Sequence, residues 1–316
     1  MKNLQTLQKR FILILVLVLL TSVVQYINYA QARGKMFWTE SSNWLAKEGK
    51  IKRANLNGTA VEDIVTGLYG PVELELDLHN NKMYWIDRTT KKIQRADLDG
   101  SNIEDILIGK RISSLAIDVK SEKLYWGNEV LEVIQRAKLD GSNIENIDIN
   151  KIWITAANIE LDLDSGKIYW ADYWENVIAR ANLDGTETEN LVTNVDGVND
   201  LALDLSNRKM YWTDVIHGKI HRANLNGLQI EDIVTGLRKP FGITLDFNSH
   251  KIFWVDWDWE TDSYKIQRAD LDGSNVRDLY TGLNRPSEIV LETDGFYDVN
   301  PDANKLTTTW ARVKSK

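Results

Sequence analysis

From Gly34 onward the chain alternates apolar and polar positions in short runs, and the same set of runs recurs. Leu201-Ala202-Leu203-Asp204-Leu205 alternates residue by residue, the two-residue period of a strand with one buried face. Met210-Tyr211-Trp212-Thr213-Asp214 follows, then Lys219–Gly227, then Ile230-Glu231-Asp232-Ile233-Val234. β-Branched and aromatic residues fill these runs, and Asn-Gly, Asp-Gly and Ser-Asn pairs punctuate them, so each unit predicts four short strands. The Leu-Asn-Gly and Leu-Asp-Gly endings fit tight hairpin turns in which glycine takes a positive φ. No stretch beyond Gly34 keeps a helical period.

The second run occurs six times, at Met36–Glu40, Met83–Asp87, Leu124–Asn128, Ile168–Asp172, Met210–Asp214 and Ile252–Asp256. The third also occurs six times, at Lys50–Gly58, Lys92–Gly100, Val133–Gly141, Val177–Gly185, Lys219–Gly227 and Lys265–Gly273. Six four-stranded units of similar length predict radial repetition, an all-β, six-bladed β-propeller of four-stranded antiparallel blades. The first copy starts at its second strand, Lys35-Met36-Phe37-Trp38, and the last is followed by a surplus first strand, Ser287–Thr293. The predicted ring is therefore closed by a C-terminal first strand joining the N-terminal blade. An open array would leave an unpaired edge instead.

The first 33 residues read differently. Lys2, Lys9 and Arg10 precede an uncharged apolar run, Phe11–Val24, and Ala30-Gln31-Ala32 places small residues before a cut after Ala32. That is the layout of a secretory signal peptide; an uncleaved anchor is the alternative, for which the run is short of the roughly 20 apolar residues a spanning helix needs. The expected organisation is a signal peptide at 1–32, a propeller at 33–295 and a polar, Lys/Arg-ended tail at 296–316. A secreted, periplasmic or cell-surface location follows, with no transmembrane span after cleavage.

Composition narrows the chemistry. The chain has no cysteine, which excludes disulfides, Cys-ligated zinc and thiol nucleophiles. A net charge of −8 without a basic stretch in the body argues against nucleic acid. The four histidines, His79, His217, His221 and His250, have no metal-binding spacing. No Ser-His-Asp order, nucleophile elbow or phosphate loop is present. No catalytic residue, cofactor or metal is expected.

The paired signatures resemble the class B, or YWTD, repeats of the low-density lipoprotein receptor family, from Gly34 to about Gly295. The resemblance implies a six-bladed propeller whose top face takes protein or peptide partners through aromatic and acidic groups. The receptors flank their propellers with cysteine-held EGF-like modules, so their endocytic architecture is not implied for this cysteine-free chain.

The recurring residues read as scaffold. The motif Trp and Tyr are expected to fill the wedges between blades. The motif Asp (Asp87, Asp172, Asp214 and Asp256, with Glu40 and Asn128 in the other copies) is expected to bond backbone or the third-strand Arg (Arg95, Arg180, Arg222, Arg268). Asp97–Gly100 and Asp270–Gly273 resemble calcium loops, but other copies read Asn-Leu-Asn-Gly and the closing Glu is missing, which favours hairpin turns.

Function is expected where the copies differ. Aligned first strands place Glu73, Ser114, Asn158, Asp200, Gly242 and Glu288 in one column. A second holds Glu75, Ala116, Glu160, Ala202, Thr244 and Val290. Both are expected to face one side, near the channel. A buried unpaired carboxylate costs on the order of 2–7 kcal/mol, so Glu75 and Glu160 must reach channel water or a partner. Loops on the same rim carry Trp44, Tyr173, Trp174, Trp257 and Trp259 between strands two and three, and Trp153 and Phe241 between strands four and one. The leading reading is a monomeric, non-catalytic protein- or peptide-binding propeller whose ligand carries basic groups. The alternatives are a calcium-dependent lactonase-like hydrolase using Glu75, Asn158 and Glu160, and a structural or adhesive envelope protein.

Overall fold

A computed structural model describes residues 34–41, 47–109, 111–149 and 156–292. The segments expected to be a signal peptide and a tail, with Trp44 and Trp153, lie outside these residues. Blade one contains β1 (Lys35–Glu40), β2 (Gly49–Asn55) and β3 (Glu62–Leu68). Blade two runs through β4 (Pro71–Asp77), β5 (Lys82–Asp87), β6 (Lys92–Asp97) and β7 (Glu104–Ile108). Blade three is β8 (Ile112–Asp118), β9 (Lys123–Asn128), β10 (Val133–Lys138) and a short β11 (Glu145–Ile147). Blade four is β12 (Ala156–Asp162), β13 (Lys167–Asp172), β14 (Val177–Asn182) and β15 (Glu189–Thr193). Blade five is β16 (Val198–Asp204), β17 (Lys209–Asp214), β18 (Lys219–Asn224) and β19 (Glu231–Val234). Blade six is β20 (Pro240–Asp246), β21 (Lys251–Asp258), β22 (Ser263–Asp270) and β23 (Arg277–Leu283), and β24 (Pro286–Glu292) ends the series.

Each blade is a four-stranded antiparallel sheet, and the first has the order β24-β1-β2-β3. The closure predicted from the chain ends is therefore realised, with Met36 opposite Leu291 and Trp38 opposite Ile289. Among the described residues no helix is long and apolar enough to cross a membrane.

Packing between blades follows from the strand period. Successive side chains point to opposite faces, so the Tyr and Trp of one motif serve different interfaces. Tyr84 packs with Trp126, Tyr125 with Trp170, Tyr169 with Trp212 and Tyr211 with Trp254. Phe37 with Trp85 and Phe253 with Trp38 complete the circuit, the latter across the closing seam. All six Trp are at most 1% exposed.

Polar ties reinforce each interface. Each third-strand Arg donates to a turn carbonyl of the next blade, from Arg53 to Leu98 (3.2 Å) around to Arg268 and Leu56 (3.5 Å). These arginines do not pair with the motif Asp. The motif acids accept backbone N–H groups instead: Asp87 from Tyr69 and Thr90, Asp172 from Trp174 and Glu175, Asp256 from Arg238 and Lys239. The Asp-x-Asp-Gly strings are hairpin turns, closed in one copy by Gly100 N–H to Asp97 O at 2.8 Å. The glycines of these turns, in the Asn-Leu-Asn-Gly copies as well, have a second duty. At Gly227, with φ 77°, a Cβ would lie 2.0 Å from the Leu191 carbonyl oxygen of the preceding blade.

Candidate functional site

The inner strands begin at one end of the ring, called the top here, and run down the channel. In every one the ladder slips within two residues of the residue opposite the motif Trp, in blade four at Ala157, next to Asn158. The first column of sequence candidates sits at this slip, and Glu73 takes φ 42° there. The two columns are therefore not equivalent positions of one pleat. The slip frees the first column to reach sideways. Asp200 accepts the N–H of Leu201 at 2.8 Å and, from the next blade, that of Ile243 at 2.6 Å. Glu73 likewise accepts from Leu115 of its next blade, and Glu288 from Ile289 at 3.0 Å. At Gly242 the neighbouring strand comes so close that a Cβ would lie 2.8 Å from Ser287 O.

Glu75 and Glu160 lie in the regular ladder, opposite Tyr84 and Tyr169. Five carboxylates, Glu73, Glu75, Glu160, Asp200 and Glu288, thus interact across the channel. Glu73, Glu75 and Glu160 keep partial solvent exposure, yet protein surrounds them within a narrow bore. That confinement raises every one of the five. Glu75 is pushed to about 8 by burial and then by the Asp200 charge. Asp200 rises to about 7 because burial outweighs its two backbone hydrogen bonds. Burial first, then neighbouring carboxylates, hold Glu73, Glu160 and Glu288 well above the ordinary range, with Arg88 partly opposing this at Glu73. Asn158 Oδ1 and Ser114 Oγ, in the same column, are buried without hydrogen-bond partners among the described residues. The bore therefore offers acceptors to a hydrogen-bond donor, and carboxyls that a bound cation would ionise by lowering their raised values. Among the described residues no group of three His, Asp or Glu is arranged to hold a metal ion.

The rim aromatics divide into two kinds. Trp174 is 75% exposed, Trp259 55% and Tyr173 45%, and Tyr173 and Trp174 meet edge to face at 5.5 Å. Phe241 and Trp257, expected in loops, lie in strands β20 and β21. Blade six extends its middle hairpin beyond the others, and Trp257 braces it. It stacks on Phe241 at 6.3 Å and on Tyr264 at 5.6 Å, with Lys239 Nζ 5.1 Å from its ring. Arg238 holds Glu260 of the same hairpin by two hydrogen bonds of 3.1 and 3.2 Å. Trp259 is thus carried on a rigid projection. Sequence reasoning missed Val130, Leu131 and Ile216, all about half exposed on the same rim. Their signal was positional: Val130 and Ile216 stand two residues past the motif end, as Trp174 does.

Residues 81–115 and 208–247 match the signature described as low-density lipoprotein receptor repeat class B. No curated protein sequence matches the chain. Among solved structures, it is similar to a chain of the crystal structure of the nidogen/laminin complex. That likeness has a TM-score of 0.69 and 21% identity, covering 82% of this chain and 98% of that one. TolB from Acinetobacter baumannii aligns with a TM-score of 0.67 and 12% identity, over 83% of this chain and 67% of that one. A putative TolB from Agrobacterium tumefaciens aligns with a TM-score of 0.62 and 12% identity, over 82% and 96%. At these identities the likeness speaks to fold. With both signatures recurring in register and the ring closed by β24, the chain is a six-bladed β-propeller that carries low-density lipoprotein receptor class B, or YWTD, repeats at 81–115 and 208–247.

Proposed function

We propose that this propeller is a non-catalytic, extracytoplasmic module that binds a protein or peptide on its top face. The observation that carries the reading is the convergence of five channel carboxylates inside a rim of exposed apolar side chains. Trp174 and Trp259 are suited to act as desolvated anchors, and the acidic bore to receive a basic side chain of the partner. The leader-like segment at 1–32 supports a place outside the cytoplasm. The likeness to a propeller crystallised in a nidogen/laminin complex supports a protein partner.

The test is capture of native partners from the envelope and secreted fractions by the wild type and by a Trp174→Ala/Trp259→Ala double variant. A Leu228→Ala variant, altered at the opposite end of the ring, serves as control. Loss of a real hot spot weakens binding by about 30-fold or more. At least one partner retained by wild type and control is expected to vanish with the double variant. Equal recovery of every partner would refute the reading.

A further inference from the structure

In five blades the third-strand arginine faces a glutamate directly across the ladder. The pairs are Arg53–Glu62 (2.8 Å), Arg95–Glu104 (2.5 Å) and Arg136–Glu145 (2.8 Å), together with Arg180–Glu189 and Arg222–Glu231. In blade six the same position brings Arg268 opposite Arg277. Like charges directly opposed in a ladder destabilise it.

Arg268 has lost a second partner as well. Tyr84, Tyr125, Tyr169 and Tyr211 offer hydroxyls to their arginines, whereas Phe253 stands opposite Arg268. Of its five N–H groups, the bond to Leu56 O at 3.5 Å remains, the longest of the six turn bonds. Burial and then the Arg277 charge hold its guanidinium below the ordinary value, and the two arginines act on Lys251 in the same direction after burial.

The carboxylates nearby are already engaged. Asp270 pairs with Lys251 and accepts from Asn275, and Asp272 accepts from Ser274. Asp278 accepts from Gln267 and pairs with Lys265, and Asp246 accepts from Ser249. Arg277 is exposed and makes no salt bridge among the described residues.

We propose that Arg268 and Arg277 form an anion-binding fork that takes a carboxylate from outside the chain, in the place a glutamate fills in the other blades. Two guanidinium forks suit a carboxylate's two oxygens. The site lies at the lower outer edge of the closing seam, beside the Leu56 turn of blade one and away from the top face. Its occupant is the carboxylate of a small acid or of an acidic side chain on a partner, and occupancy would strengthen ring closure.

Thermal melts of the full chain test this with sodium glutarate and with a hexaglutamate peptide, each against sodium chloride at equal ionic strength. The variants are Arg277→Glu, which restores the common pair, and Arg277→Ala, which halves the fork and relieves repulsion. The wild-type melting temperature is expected to rise with either probe by about 2–4 °C beyond the chloride control at 100 mM carboxylate. Arg277→Glu starts higher and shows the chloride response alone, and Arg277→Ala loses most of the carboxylate response. A peptide acting at tenfold lower carboxylate concentration than glutarate identifies a polypeptide source, and equal potency a small acid. A wild-type response no larger than that to chloride, or equal responses in all three proteins, would overturn the proposal.

Discussion

Replacing Glu75 by glutamine removes a titrating group from the channel wall while keeping its shape. Burial, and then the charge of Asp200, lift this carboxyl from 4.5 to about 8. The folded value lies above the unfolded one, so the stability tied to this group is fully present below about 4.5 and is lost as pH rises through about 8. Each pH step inside that window weakens the fold by ~1.4 kcal/mol, which sets an upper limit of about 5 kcal/mol. The side chain is only half-buried and the bore is open to solvent, so screening leaves roughly 1–3 kcal/mol. The assay is urea unfolding of wild type and Glu75→Gln from pH 5 to 9. The two proteins are expected to be nearly equal at pH 5, to diverge progressively between there and about pH 8, and to run parallel above it, with the variant more stable by roughly 1–3 kcal/mol at pH 8–9. Parallel curves across the range would refute the claim that the bore confines charge.

Three further predictions concern the scaffold. Trp212→Ala empties a fully buried wedge site between blades four and five and should cost about 3–5 kcal/mol, read from denaturant midpoints, while the folded fraction still captures partners. Gly227→Ala combines positive φ with a 2.0 Å approach to Leu191 O, so it should destabilise by about 2 kcal/mol or more, whereas Gly236→Ala, also at positive φ but with nothing near, should cost less. Removing residues from Pro286 onward leaves β1 without its inner partner, and the single cooperative melt expected of the closed ring should give way to a broad or multiphasic one.

Much of the fold was legible because repetition exposes what every blade shares. The Trp spacing counted the blades, and the lone strand after the last copy located the closure. What one blade does to the next was harder to read. The slip in each inner strand arises where neighbouring strands converge on the channel, and no residue type at Glu73 or Asp200 announces it. The choice between backbone and the repeated Arg as partner of the motif Asp stayed open for a related reason. Motif Asp and third-strand Arg are close in each copy, but the Asp is spent on loop N–H groups and the Arg reaches the next blade. Trp257 looked like a loop residue because blade six alone lengthens its hairpin. Ile216, Val130 and Leu131 escaped notice because aliphatic residues in a strand-rich sequence read as core until exposure is known.

The central claim is that a partner sits over the top of the ring. Photoreactive benzoylphenylalanine placed at Trp174 or at Leu228, one at each end of the ring, tests it directly in the native secretory setting. A specific crosslinked polypeptide from the Trp174 position, weakened when Glu75 and Glu160 are both changed to Gln, is the predicted result. Crosslinking from the Leu228 position alone, or adducts from Trp174 that ignore the channel charges, would contradict the account.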